Sequence, residues 1–503
     1  MKIAIRVDGA VAIGTGHFAR CLTLAAAVRT LGGEAHFVCR QITNFMRTQL
    51  VELGFGLSLL PPREEPFSSD LAHAAWLGVS QESDARDTIE ALADNAPWDW
   101  LVVDHYGLDA DWESRLRAVT KCILAIDDLA DRKHDADALL DQNLQTINRY
   151  RDLVPENSKL MLGPKFALLR PEFRFLREAG IRPGGKVRIN IFFGGTDPKG
   201  MTLVALEALR HFSDTALILD VVVGIDNPRH GIIAGLCDEL RNTTLHLQPS
   251  NMGEILSSAH LALGAGGTTS WERCCLGLPS LIVSVAENQR DGSRALAKAG
   301  AAVDLGPMES VEKETIFGAV AELLARPDFL AGLRRNARAL VDGRGAERVA
   351  LYMARETVEL RDAVIDDAEA KLLWRNDPRT CQYFNDPRPV PLPNHLAWWD
   401  AALHDEERTL LIAHYASVDV GVLRFDFAER TAIVSVYLDP ELKGLGLGSA
   451  VLRAGNHWLR ILRPDIKTVR ADIHPSNSAS ANSFCAAGFR NIADRQWVCD
   501  LYG

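Results

Sequence analysis

Apolar and polar positions change period repeatedly along the first 345 or so residues. Short apolar runs rich in β-branched residues, Ile3–Val7, Ala35–Cys39, Leu101–Asp104 and Cys122–Asp127, alternate with stretches of helical spacing, such as the one from about Phe18 to Leu31. That order predicts an open parallel sheet with helices on both faces over residues 1–165. Gly163-Pro164 and Arg182-Pro183-Gly184-Gly185 bracket a charged connecting segment. The alternation then restarts. Val187–Phe193, Ala216–Val223, Leu245–Leu247, Leu261–Gly264 and Leu281–Val285 read as strands, and a helix is expected from about Gly200 to His211. Residues 166–350 are therefore expected to form a second parallel sheet in tandem with the first.

A third pattern begins at Val358. An opening strand at Val358–Arg361 precedes helices at Asp366–Trp374 and His395–Leu403, the first ended by Asn376-Asp377-Pro378. Thr409–Tyr415, Asp419–Asp426 and Thr431–Leu438 follow as consecutive antiparallel strands, and an apolar helix runs to about Leu462. The chain is thus α/β throughout, with a third domain expected over 358–503.

Composition narrows the class. A length of 503 residues suits about three domains. The net charge of −11 argues against a nucleic-acid backbone as main partner, though not against a local phosphate pocket. Nine cysteines without C-x-x-C spacing, two of them adjacent at Cys274-Cys275, point to a reduced, cytoplasmic protein and not to a disulfide framework or a zinc site. Arg6 and Asp8 interrupt the apolar start, which argues against a signal peptide, and no apolar run is long enough for a membrane span.

The candidate chemistry gathers at glycine-rich turns after strands. Ile13-Gly14-Thr15-Gly16-His17 joins the first strand to a helix start, where backbone N–H groups favour an anion and His17 could accept a proton. The plain alternative is a tight turn with His17 as helix cap. In such sheets ligands bind beyond the carboxyl ends of the strands. Arg6 and Asp8, Asp104-His105-Tyr106 and Asp127-Asp128 fall there, with capping or turn formation as the bland role for each acid. The sugar-facing candidates are Arg6, Asp8, Gly14, Gly16, Arg20, Tyr106, Asn288 and Gln289. Gly194-Gly195-Thr196 and Gly266-Gly267-Thr268-Thr269 are turns suited to a diphosphate. Glu272, just inside the following helix, could accept both ribose hydroxyls, or simply be a first-turn acid.

These residues, with Ile126-Asp127-Asp128-Leu129, Leu168-Leu169-Arg170-Pro171, Gly264-Ala265-Gly266-Gly267-Thr268-Thr269-Ser270-Trp271-Glu272 and Glu287-Asn288-Gln289, resemble the UDP-sugar hydrolase family of pseudaminic acid biosynthesis, in family order over nearly all of residues 1–345. The resemblance implies a GT-B-like pair of Rossmann-type sheets. It also implies metal-free hydrolysis of UDP-2,4-diacetamido-2,4,6-trideoxy-β-L-altropyranose to UDP and the free sugar. His17 would be the base, and Gly194, Gly195, Thr196, Gly266, Gly267, Thr268, Thr269 and Glu272 would hold UDP.

Farther on, Val434–Leu438 leads into Lys443-Gly444-Leu445-Gly446-Leu447-Gly448-Ser449, and His474-Pro475-Ser476-Asn477 into Phe484 and Gly488-Phe489. Together these resemble the acetyl-CoA site of GNAT-type N-acetyltransferases. The resemblance implies that Lys443, Gly444, Gly446, Gly448 and Ser449 cradle the pyrophosphate, that Val436 and Leu438 hold the acetyl group, and that Asn477 and Phe484 flank the pantetheine arm. Lys443 replaces the usual arginine or glutamine, and Phe484 a frequent tyrosine, which leaves the acid unassigned, with His474, Ser480 and Asp472 as nearby polar candidates. The fusion implies that this domain acetylates the 4-amino UDP-sugar from which the hydrolase substrate is made. The alternatives are a GT-B glycosyltransferase, an acetyltransferase for another acceptor, and a non-catalytic sensor. No pattern speaks to oligomeric state.

Overall fold

The first strand, Lys2–Val7, lies in the interior of a seven-stranded sheet whose every pairing is parallel. In chain order its strands are Lys2–Val7, Glu34–Cys39, Gly56–Leu59, Trp98–Asp104, Thr120–Ile126, Ala138–Asp141 and Lys159–Leu162. Their spatial order is third, second, first, fourth, fifth, sixth, seventh. This is a computed structural model, and it describes residues 1–10, 13–63, 71–144, 147–179, 185–210, 212 and 217–502. Arg182–Gly184 of the expected connection, His211 at the expected helix end and Ala216 at the expected strand start lie outside the described residues.

A second, all-parallel sheet comprises Val187–Phe192, Leu217–Val223, Thr243–Leu247, Leu261–Ala265, Ser280–Ser284 and Val303–Pro307. Its spatial order is third, second, first, fourth, fifth, sixth. Both sheets bury apolar side chains on both faces, as parallel sheets flanked by helices must. Ile3, Ile5 and Val7 are fully buried, as are Ile189 and Ile191. Each such side chain contributes about 1.5–3 kcal/mol relative to exposure. In each sheet the strand order reverses between the first and fourth strands, which is where an open α/β sheet leaves a crevice for a ligand.

The third sheet is mixed. Its spatial order is Glu359–Asp362, Arg408–Tyr415, Val418–Ala428, Thr431–Leu438, Thr468–Asp472, Gln496–Asp500, Arg490–Asn491. Its pairings are antiparallel except that of Thr431–Leu438 with Thr468–Asp472. That parallel pair shares register only from Thr431 to Ile433, against Thr468 to Arg470. The helix expected from His395 begins at Leu392, since Pro393 in its first turn gives up no needed N–H.

The chain divides into two compact units, one of Lys2–Ala26 with Glu34–Glu347, the other of Arg348–Gly503 with Met1 and Ala27–Gly33. The first holds both parallel sheets and the second holds the mixed one. No helix among the described residues is long and apolar enough to cross a membrane.

Candidate functional site

A cleft of about 480 Å³ in the first unit is lined by the turns that follow the first and fourth strands of both sheets. From the first sheet come Gly14, Thr15, Gly16, His17 and Arg20, after and within the first crossover, and Tyr106, just past the fourth strand. From the second come Gly194, Gly195 and Thr196 after its first strand, then Gly266, Gly267, Thr268, Thr269 and Glu272 after its fourth. Asn288 and Gln289, on a short 3₁₀ turn after Ser280–Ser284, complete the wall. Residues far apart in the chain meet here because both reversal points open on the same space.

Gly16 opens the helix Gly16–Thr30, so His17 lies in its first turn and Arg20 one turn on. His17 is 9% exposed, its ring edge-on to Tyr106 with centroids 4.6 Å apart. Its Nδ1 lies 2.6 Å from Asp104 Oδ1. The Tyr106 hydroxyl donates to Asp128, which also receives Arg20 Nη1 at 3.4 Å. Burial pushes the Tyr106 hydroxyl well above the usual phenol range, and the neighbouring Asp128 adds to this. Tyr106 therefore stays a neutral donor.

On the opposite wall, the helix Thr268–Leu276 starts at the glycine turn and points its unpaired N–H groups at the cleft. Gly267 holds φ = +112°, a conformation open to glycine and costly for other residues. A side chain at Gly266 would meet Ser293 Oγ at 2.8 Å. Gln289 is braced by accepting the Val285 N–H at 3.1 Å. Burial pushes the Glu272 carboxyl up to about 7, against the pull of Arg170 and Arg273. Among the described residues, no protein donor is hydrogen-bonded to that carboxyl. The arrangement suits an anionic nucleotide with its ribose against Glu272, facing an imidazole across the cleft.

Arg6 and Asp8 correct the sequence reading. Neither lines the cleft, and both are fully buried. Arg6 donates to Asp8 at 2.7 and 3.0 Å and to Asp84 at 3.1 and 2.8 Å. Asp8 Oδ1 in turn accepts the backbone N–H groups of Arg40 and Gln41. The fork that looked available for substrate is spent on an internal ion network that fixes the strand ends. Asp128 lines the cleft, as its place after a strand end allows, and Gln142 and Asn143 line it without having been expected there. Their signal was position just after a strand, but that position is shared with ordinary turn formers.

In the mixed sheet the glycine loop lies between the strand Thr431–Leu438 and the helix Leu447–Leu462. Gly446 caps the helix Leu447–Leu462 at φ = +77°, and a helix start of this kind favours an anion. Gly444 precedes it, the Ser449 hydroxyl donates to Gly446 O, and a side chain at Gly448 would meet Ser483 Oγ at 2.9 Å. The strand carrying Val436 and Leu438 parts from Thr468–Asp472 beyond Ile433. Its backbone is therefore available on that side to an extended ligand. Lys443 donates to Arg379 O at 2.6 Å, and burial and Arg379 lower its ammonium from the usual lysine range. Two expectations change. Asn477 caps the helix Ser478–Ala486 by accepting the Ser480 N–H. Phe484 is 3% exposed and packs edge-on against Phe489, so its ring fills the core instead of flanking an open arm.

Residues 357–490 match the family model described as an acetyltransferase (GNAT) domain. The chain is 28% identical over 204 residues to the spore coat polysaccharide biosynthesis protein SpsG of Bacillus subtilis, covering 40% of this chain and 60% of that one. It thus spans less than two thirds of that relative. It is 23% identical over 306 residues to the UDP-2,4-diacetamido-2,4,6-trideoxy-β-L-altropyranose hydrolase of Campylobacter jejuni, covering 60% of this chain and 99% of that one. An uncharacterized protein of Methanocaldococcus jannaschii is 23% identical over 538 residues, covering 100% of each chain. The N-terminal region is therefore similar to a UDP-sugar hydrolase, and the C-terminal region is similar to GNAT acetyltransferase domains.

Proposed function

We propose that the protein is a bifunctional enzyme of nucleotide-sugar metabolism, organised as domains 1–165, 166–350 and 358–503. The first two hydrolyse UDP-2,4-diacetamido-2,4,6-trideoxy-β-L-altropyranose to UDP and the free sugar. The third uses acetyl-CoA to acetylate the 4-amino UDP-sugar that precedes it, in pseudaminic acid biosynthesis. The observation that carries the hydrolytic reading is one cleft, walled by His17 on one side and two glycine turns on the other.

The chemistry follows from that division. UDP is a good leaving group, and the charge it gains as the glycosidic bond breaks is met by N–H groups at the turns of Gly194-Gly195 and Gly266-Gly267. Glu272 receives the ribose. Tyr106, Asn288 and Gln289 meet the sugar and its acetamido groups, while Arg20 braces Asp104 and Asp128 behind them. His17 takes a proton from the water that attacks the anomeric carbon, and attack opposite the departing UDP inverts that centre. The reading calls on no metal. In the third domain, Gly444, Gly446, Gly448 and Ser449 hold the pyrophosphate of acetyl-CoA, and the side of the Val436–Leu438 backbone that faces away from Val418–Ala428 polarises the thioester carbonyl. All nine cysteines are free, which supports a cytoplasmic setting.

The test is product analysis of the full chain. Given the diacetamido UDP-sugar in water enriched in oxygen-18, it should release UDP and a free sugar carrying the label at the anomeric oxygen. Given acetyl-CoA and the 4-amino UDP-sugar, it should form the N-acetylated product. UDP release only when a second sugar acceptor is added would convert the first reading to a glycosyltransferase.

A further inference from the structure

Asp104 ends the fourth strand of the first sheet and is 1% exposed. Besides the contact with His17, it takes the fork of Arg20, with Nη2 2.6 Å from Oδ1 and Nε 2.6 Å from Oδ2. Cys21 Sγ adds a weak donor at 3.4 Å. Burial favours the neutral acid, but the Arg20 guanidinium outweighs it and holds the Asp104 carboxyl well below the usual carboxylate range.

An ionised oxygen 2.6 Å from a ring nitrogen requires a proton on that nitrogen, because two lone pairs at that separation repel. Arg20 Nη2 also lies 3.2 Å from His17 Nδ1. With Nδ1 protonated, these are two donors converging on the same Asp104 Oδ1. In a neutral imidazole the other nitrogen, Nε2, is then bare and able to accept.

We propose that Asp104 is a positioning residue that fixes His17 as the Nδ1–H tautomer, with Arg20 locking the carboxylate, so that the Nε2 lone pair is what the ring presents to the attacking water. Its catalytic meaning rests on the hydrolytic reading above, while the tautomer itself does not. Asp104 never touches the reacting atoms. Its effect is on which nitrogen carries the proton and on the angle of the ring.

Two measurements test this. The first uses the unmodified full chain, labelled with nitrogen-15 histidine and without substrate, with the His17 signals identified by their loss in His17→Gln. In the neutral ring, Nδ1 is expected to show the protonated shift and Nε2 the bare one. The reverse pattern overturns the proposal whether or not the protein hydrolyses anything. The second is the Asp104→Asn variant, whose amide can turn its NH₂ toward Nδ1 and reverse the tautomer. UDP release should fall by about 10²-fold or more in kcat, with KM within threefold, and the two nitrogen shifts should exchange. An unchanged kcat in a folded Asp104→Asn variant overturns the proposal. Absence of hydrolysis by the unmodified chain, with the expected tautomer present, would instead defeat the hydrolytic reading alone.

Discussion

Gly16 faces Thr268 across the cleft: a Cβ built on Gly16 would stand 3.6 Å from the Thr268 hydroxyl oxygen. The helix starts of the two sheets therefore approach to within one side chain of each other, on either side of the space assigned to the diphosphate and sugar. Gly16→Ala should be tolerated, since 3.6 Å is an ordinary contact. Gly16→Val places further methyls in that space and should raise KM for UDP release by about tenfold, the scale of a few misplaced apolar atoms in a binding site. Steady-state kinetics on the two variants checks the order.

His17→Gln keeps a polar side chain of similar reach but no base. Turnover should fall by about 10²- to 10⁴-fold, the usual share of a general base. Affinity for UDP, measured by calorimetry, should stay within threefold, because the nucleotide turns belong to the other sheet. A variant that folds, binds UDP and retains full turnover would remove His17 from the mechanism.

Glu272 gives a proton-linked signature. In the free protein burial holds its carboxyl at about 7, so it is partly protonated near neutrality. Ribose hydroxyls donating to it favour the carboxylate, which lowers its proton affinity on binding. UDP binding near pH 6.5 should therefore release protons, seen as a binding enthalpy that varies with the ionisation heat of the buffer. Glu272→Gln should abolish that dependence and weaken UDP binding by about tenfold or more.

The Arg6 network predicts acid sensitivity of the first unit. Burial favours neutral Asp84, but Arg6 and Arg40 outweigh it and hold the carboxyl down at about 2. A folded-state value below the unfolded one of about 3.9 stabilises by about 2 kcal/mol. That contribution is complete above roughly pH 4 and is lost as pH falls toward 2. Thermal melts should shift downward across that window. Asp84→Asn, which deprives buried Arg6 of one of its two carboxylates, should cost about 3 kcal/mol even at neutral pH.

For the unit that holds the mixed sheet, Gly446→Ala is the sharpest probe of the proposed acetyl-CoA site. Its Cβ would find room, the nearest atom being Arg355 Cδ at 3.6 Å, so the effect isolates the backbone at φ = +77°. A left-handed alanine costs about 1–2 kcal/mol, and relief of that strain would tilt the loop N–H groups away from the pyrophosphate. The KM for acetyl-CoA should rise about tenfold, with UDP release unaffected.

Those predictions divide along what the sequence could reveal. The turns at Gly14-Thr15-Gly16-His17, Gly194-Gly195-Thr196 and Gly266-Gly267-Thr268 were legible because each is a local event: strand, glycine, helix start. The alternation of periods likewise placed all three sheets. Partnerships between distant residues were not legible. Arg6 sits at a strand end just as a ligand-binding residue would, and only its pairing with Asp84, 78 residues away, turns it inward. Asp104 is legible as an acid at a strand end near the ligand site, but its pairing with His17, 87 residues earlier, is not. Phe484 carried the right spacing for a ligand contact, but its orientation depends on Phe489 and the helix it closes.

The wall of the cleft proposed to hold the nucleotide is built from peptide groups at glycine turns, and that has a practical consequence. Among the natural residues only proline removes a main-chain N–H, and it also fixes φ, so its effect cannot be read as one lost hydrogen bond. Alanine scanning of Gly195, Thr196 and Thr268 would therefore report little where the grip on phosphate is greatest. Ester linkages introduced at those positions by chemical ligation, which swap an N–H for an oxygen, would expose it.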